Sequence, residues 1–112
     1  GLGARVVREP VRADVLVNCT SVGLDPSSSP FKDLPLAADR LVEYTTVVDL
    51  VYRAGGTVLI REAAKRGLDT VDGLEILVRQ GALSLTLWTG LAPALDLMRA
   101  AARDADDQLD AP

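Results

Sequence analysis

The chain has 112 residues, a net charge of −4, a pI near 4.7, no histidine and one cysteine. That length fits one domain or part of one, and an acidic balance with no basic stripe argues against a nucleic-acid partner. The lack of histidine removes the commonest general base and metal ligand, so no metal site is expected, and a lone cysteine suits a reducing, cytoplasmic setting.

The first residues, with Arg5, Arg8, Glu9 and Pro10, lack the apolar core of a secretory leader. Only Ala4 to Val7 offers a short strand there. Asp14 to Thr20 reads as a strand, and its run Val15-Leu16-Val17 suits a parallel sheet covered on both faces. A loop rich in Ser, Pro, Gly and Asp follows, "SVGLDPSSSPFKDLP". Pro35 to Glu43 has the pattern of a short helix. Thr45 to Tyr52, "TTVVDLVY", is the second strand, broken by Gly55 and Gly56.

Thr57 can cap a helix running to Arg66, with Gly67 at the position that favours a left-handed residue. Asp69 to Val71 is a short third strand. Asp72 can cap a long helix, and Glu75 can reach back as in a capping box. Gly90 and Pro93 end that helix, and a last one runs from Pro93 to Arg103. The tail 104–112 is acidic and expected to fray. The longest apolar stretch, Gly81 to Met98, contains Pro93 and Asp96. A membrane span needs roughly 20 apolar residues, so none is expected.

Strands alternating with helices predict an α/β fold with parallel order, here a partial, doubly wound, Rossmann-like sheet of three strands. Three strands are few for such a sheet, which suggests a piece of a longer chain. Residues 1–103 would form the nucleotide-binding part.

On a wheel at about 100° per residue, Leu74, Leu77, Val78, Gly81, Leu85 and Trp88 share one broad face of the long helix. Ile76, Leu83 and Leu87 share a second. A helix apolar over so much of its circumference is expected to lie between layers. Gln80 falls outside the narrow polar strip of Glu75, Arg79 and Thr86. A buried amide without partners costs about 1–3 kcal/mol, so Gln80 should bond either a backbone group or a ligand.

The ordered set "DVLVNCTSVGL", "VVDLVY", Thr57 and "VDGLEILVRQGALSLTLWTG" resembles the C-terminal, nucleotide-binding half of the shikimate dehydrogenase family, the quinate branch included. The resemblance covers Ala13 to Met98. It implies an oxidoreductase that reversibly reduces 3-dehydroshikimate to shikimate, usually with NADPH. It also implies an N-terminal substrate domain that supplies the catalytic Lys and Asp, so no catalytic residue is assigned among these positions. The family's glycine-rich phosphate turn has no counterpart either: "GLGARVV" lacks the preceding strand that the motif requires. Without the segment that reads the ribose phosphate, NAD stays open beside NADP.

Residue by residue, the resemblance implies that Thr20, Ser21 and Val22 line the cofactor cleft. It places Leu50 beside the nicotinamide and Gly73 with its backbone at the nicotinamide amide. Tyr52 would face shikimate, and Gln80 would bond a substrate hydroxyl. Three departures stand out: Ala54 where proline is usual, Cys19 where many members have Ala, and Leu85 where many have Phe.

Each of these residues also has a structural reading. Thr20 and Ser21 can be turn formers, Tyr52 a half-buried aromatic at a strand end, and Gly73 a first-turn glycine. Cys19 reads as a small buried filler, and Asp49 as a buried acid bonded to backbone. Trp88 reads as core or domain contact. A function of another class is self-association or partner binding through the unpaired edge of the sheet. Quinate or an amino-analogue would serve as substrate with the same Tyr52 and Gln80.

Overall fold

The computed structural model describes residues 2–109. Three parallel strands form one sheet in the order β1-β2-β3: β1 (Val15–Asn18), β2 (Thr46–Asp49) and β3 (Asp69–Val71). Val15 pairs with Thr46 and Asn18 with Asp49, and Thr46 also pairs with Asp69. The three carboxyl ends therefore lie side by side along one edge.

Helix α1 (Pro30–Asp33) is one turn inside the Ser/Pro-rich loop, capped by Ser29. The sequence reads as loop there, because four residues show no period. The helix expected over Pro35 to Glu43 is a 3₁₀ segment, Ala38–Glu43. Its Leu41 is fully buried. Helix α2 (Val58–Lys65) has Thr57 as its cap, with Oγ1 accepting from the Ile60 N–H, and Gly67 takes φ of 75° just past its end. Leu36, Leu41, Val47, Leu59 and Ala63 form the core, with Leu16, Phe31 and Leu68 packed on it.

Sheet alternation sends Leu16 and Val47 to this covered face and Val15 and Val17 to the other. Val15 and Val17 are about half exposed. The expectation of a first strand covered on both faces is thus corrected: β1 is an edge strand with a helical layer on one side only. Residues 4–7 form no strand and are exposed. The segment before β1 is instead held by single contacts, among them the Tyr44 hydroxyl donating to the Val11 carbonyl at 2.9 Å. Cys19, expected as a buried filler, is exposed in the turn after β1.

Helix α3 (Gly73–Thr89) starts at the end of β3 and stops at Gly90, whose φ is 70°. Helix α4 (Leu95–Leu109) returns along it. The expected break at Arg103 does not occur, and helix continues through most of the stretch expected to fray. Residues 110–112 lie outside the described residues. Only Gly73, Leu74, Val78 and Ala82 of α3 are buried. Leu77, Leu83, Leu87 and Trp88 are exposed, Leu87 by 85% and Trp88 by 81%. The prediction of a helix enclosed between layers is corrected: within this chain α4 covers one stripe. Among the described residues no helix is long and apolar enough to cross a membrane.

Candidate functional site

The carboxyl edge of the sheet is organised by Asp49. It is 1% exposed, yet its carboxylate takes three hydrogen bonds. The Asn18 amide donates at 3.0 Å, the Val51 N–H at 3.0 Å and the Thr57 hydroxyl at 2.7 Å. A buried carboxylate is tolerable only when bonded in this way. One side chain thereby ties the end of β1, the end of β2 and the cap of α2.

Asn18 carries the same order outward. Its amide also donates to the Val22 carbonyl at 3.0 Å, and its oxygen accepts the Thr20 N–H at 3.1 Å and hydroxyl at 2.6 Å. The Thr20 oxygen in turn accepts the Val22 N–H at 3.1 Å. The turn 18–22 is therefore set by its own side chains. Further on, Gly23 at φ 104° donates its N–H to the Ser28 hydroxyl at 2.7 Å. Ser21 stays exposed and Val22 half-buried.

Leu50, directly after β2, is 45% exposed, while neighbouring Val51 is buried. Gly73 meets this bend closely. A Cβ there would lie 2.6 Å from the Leu50 carbonyl oxygen and 2.9 Å from the Val51 carbonyl carbon. The close approach expected at Gly73 is thus made by the chain's own backbone, and glycine is required on packing grounds alone. Asp72 caps α3 by accepting the Glu75 N–H at 2.9 Å. Glu75 does not complete a capping box. Its carboxylate binds Arg99 at 2.8 and 2.9 Å and Arg79 at 2.6 Å. Bonds from Arg99 first and Arg79 second pull its pKa down to about 2.

Thr20, Ser21 and Val22 follow β1, Leu50 and Tyr52 follow β2, and Gly73 follows β3, so all six lie past the carboxyl ends of adjacent strands, but among the described residues no single cavity is lined by them together. Gln80 does not join them as expected. It lies two turns along α3, about 10 Å on at 1.5 Å per residue. It is exposed, and its amide donates to the Leu77 carbonyl at 2.9 Å. The predicted burial is corrected, because the layer that would enclose this face is not formed by these residues.

The sequence alone does not reveal the roles of Asn18 and Thr57, since Asn18 reads as part of the first strand and Thr57 only as a cap. The pair that α4 makes with α3 also escapes it, because Arg99 and Glu75 lie 24 residues apart. No cluster of metal-ligating side chains occurs among the described residues.

An open parallel α/β sheet binds ligands outside the carboxyl ends of its strands, and the class defined here is a unit of that kind, with one wall of such an edge in place. The family model for the shikimate 5'-dehydrogenase C-terminal domain matches residues 73–103. A shikimate dehydrogenase (NADP(+)) of Thermus thermophilus is 49% identical over 106 residues, 94% of this chain and 38% of that protein. That of Methanocella arvoryzae is 44% identical over 99 residues, 87% of this chain and 35% of that protein. The crystal structure of a Thermus thermophilus shikimate 5-dehydrogenase in complex with NADP(H) and shikimate superposes with a TM-score of 0.69 at 48% identity, covering 82% of this chain and 34% of that one. The chain belongs to the shikimate dehydrogenase family and corresponds to its C-terminal part. It spans little more than a third of the length of these relatives.

Proposed function

We propose that the chain supplies part of the cofactor cleft and the substrate contacts of an NADP-dependent shikimate dehydrogenase. That enzyme would interconvert 3-dehydroshikimate and shikimate in the cytoplasm, with an N-terminal substrate domain carrying the acid–base pair. The observation that carries this reading is the alignment of three strand ends in one parallel register, with Leu50 and Ser21 open to solvent at that edge.

The residues present fit the nicotinamide end of a dinucleotide. Leu50 offers an apolar wall, and Thr20, Ser21 and Val22 offer a pre-shaped turn. Gly73 lies in the first turn of α3, where N–H groups lack intrahelical partners. The bound cofactor would supply the hydride. The protein's part is to hold a flat ring against one face of a substrate and keep water away. Tyr52 and Gln80 are the groups we assign to substrate hydroxyls. A site built to bond an OH rejects ligands that lack it. For Gln80 this requires its amide to leave the Leu77 carbonyl when the face of α3 is covered. Nothing here reads the ribose phosphate, so NADP is carried by the relatives.

The test is a chimera in which this chain replaces the matching segment of the Thermus thermophilus enzyme. The expected result is NADP-dependent shikimate oxidation within about tenfold of the parent, a barrier change of roughly 1.4 kcal/mol. The 112-residue chain alone should show none. A folded chimera that binds NADP but does not oxidise shikimate would overturn the reading.

A further inference from the structure

The chain after β2 forms a closed loop. Asp49 accepts the Val51 N–H with one carboxylate oxygen and the Thr57 hydroxyl with the other, so both ends are pinned to one buried group. Between the pins, the Gly56 N–H donates to the Arg53 carbonyl at 2.9 Å, and Gly55 takes φ of 75°. That is the type II pattern, with Ala54 at the position where proline would preset φ. With alanine there and two glycines after it, this turn has little stiffness of its own. A second turn of the same kind lies across from it: the Leu24 N–H donates to the Ser21 carbonyl at 3.1 Å, with Gly23 at φ 104°. The Arg53 guanidinium joins the two, donating from Nη1 to the Leu24 carbonyl at 2.9 Å. Arg53 also stands between two cavities. One, of about 160 Å³, it shares with Gly23, Asp25 and Ser28. The other, of about 430 Å³, it shares with Tyr52 and Asp72.

We propose that Arg53 is a positioning residue that ties the cofactor turn to the substrate loop. Ser21 and Val22, assigned above to the cofactor, stand on the first turn. Tyr52, assigned to the substrate, directly precedes the second. Asn18 holds the first turn at its base and Asp49 the second, both at the strand ends. The Arg53 bond acts further out. Among the described residues it is the one hydrogen bond between segments 20–28 and 51–57. A charged donor on a carbonyl makes it stronger than a neutral pair. The gap between the two walls, and so the room for a nicotinamide beside its substrate, is set by this side chain. This rests on the reading that the first turn meets the cofactor and Tyr52 the substrate, and adds to it a mechanical link between the two subsites.

The test has two arms. In the 112-residue chain, ¹⁵N relaxation reads the order of the amides from Ser21 to Leu24. Arg53→Met keeps the apolar stem and removes the donor. It should lower those order parameters from about 0.85 to about 0.6, with the Val51 amide unchanged. Arg53→Lys keeps a charged donor and should hold them near the parent values. Unmoved order parameters in a folded Arg53→Met overturn the tether. In the chimera, Arg53→Met should raise the KM values for NADP and shikimate together, each roughly three- to tenfold. Its kcat should stay within about twofold of the parent, the pattern of lost binding rather than lost chemistry. Arg53→Lys should return both KM values to within about twofold of the parent. A rise in neither KM, or in one alone, overturns the link between the subsites. The relaxation arm needs neither cofactor nor substrate, so it decides the tether even if the chimera fails to oxidise shikimate.

Discussion

Asn18, at the end of β1, and Gln80, a candidate substrate contact, are both amide side chains, and their surroundings are opposite. Asn18 is 6% exposed and uses both ends of its amide on Asp49, Thr20 and Val22. Gln80 is exposed and bonds only the helix that carries it. The strand ends are finished by residues close at hand: Asn18 of β1, the Val51 N–H just past β2 and Thr57, the cap of α2, are the partners of Asp49. The outer flank of α3 is apolar but open, with Leu77, Leu83, Leu87 and Trp88 in solvent. One half of the candidate site is therefore preorganised within this chain, and the other half is a surface without its cover.

The contrast can be broken most forcefully at its buried centre. Asp49→Ala removes three hydrogen bonds, takes the acceptor from the Val51 N–H and the Thr57 hydroxyl, and leaves the Asn18 amide with the Val22 carbonyl alone. A loss of about 3 kcal/mol or more is expected, read as a drop in Tm of roughly 12 °C or more for a domain of this size. A Tm within a few degrees of the parent would show that the strand ends are held by something else.

Gly73→Ala probes the junction of the two regions. Its Cβ would press on the Leu50 carbonyl, and the strain should destabilise by about 1–3 kcal/mol. Urea unfolding measures this, and no loss would mean that the Leu50–Val51 bend is free to yield.

Glu75 tests the α3–α4 contact. Its folded pKa, about 2, lies below the ordinary value of 4.5. The ion pair's contribution is then complete above about pH 4.5 and lost as pH falls toward 2. The protection factors of the α4 amides, with the intrinsic pH dependence of exchange divided out, should fall through that window. Glu75→Gln should abolish the acid step at a cost of about 1 kcal/mol at neutral pH.

The smallest effect belongs to the open flank. Leu87→Gln should change the chain's stability by less than about 0.5 kcal/mol, in contrast to a buried site such as Leu74, where Ala should cost about 2–5 kcal/mol. A large loss at Leu87 would mean that the flank is covered in solution by another copy of the chain.

Much of the fold was legible because its signals are local. The apolar runs of β1 and β2, the caps Thr57 and Asp72, and the glycines 67 and 90 each fall at the expected place. Their order was enough to predict parallel strands, and so that Thr20, Leu50, Tyr52 and Gly73 follow the strands on one edge of the sheet. Legibility failed where the answer depends on distant partners. Val15 and Val17 read as enclosed, because a run of valines does not record whether a layer lies over it. The acidic 104–109 segment read as frayed, because its helix is held by Arg99 reaching Glu75, a contact across 24 residues.

The sequence by itself determined the α/β class, the order of the strands and the likeness to the shikimate dehydrogenases, since periodicity, capping and turn chemistry act over a few residues, while β1 and β2 end at Asn18 and Asp49, two and three residues before the expected Thr20 and Tyr52. Only the tertiary structure decided that Asp49 is the hub of the edge, that Gly73 is required by backbone contact, that Gln80 is exposed, and that Arg99 of α4 reaches Glu75. These depend on which surfaces meet, and burial and hydrogen-bond satisfaction are properties of the packed chain.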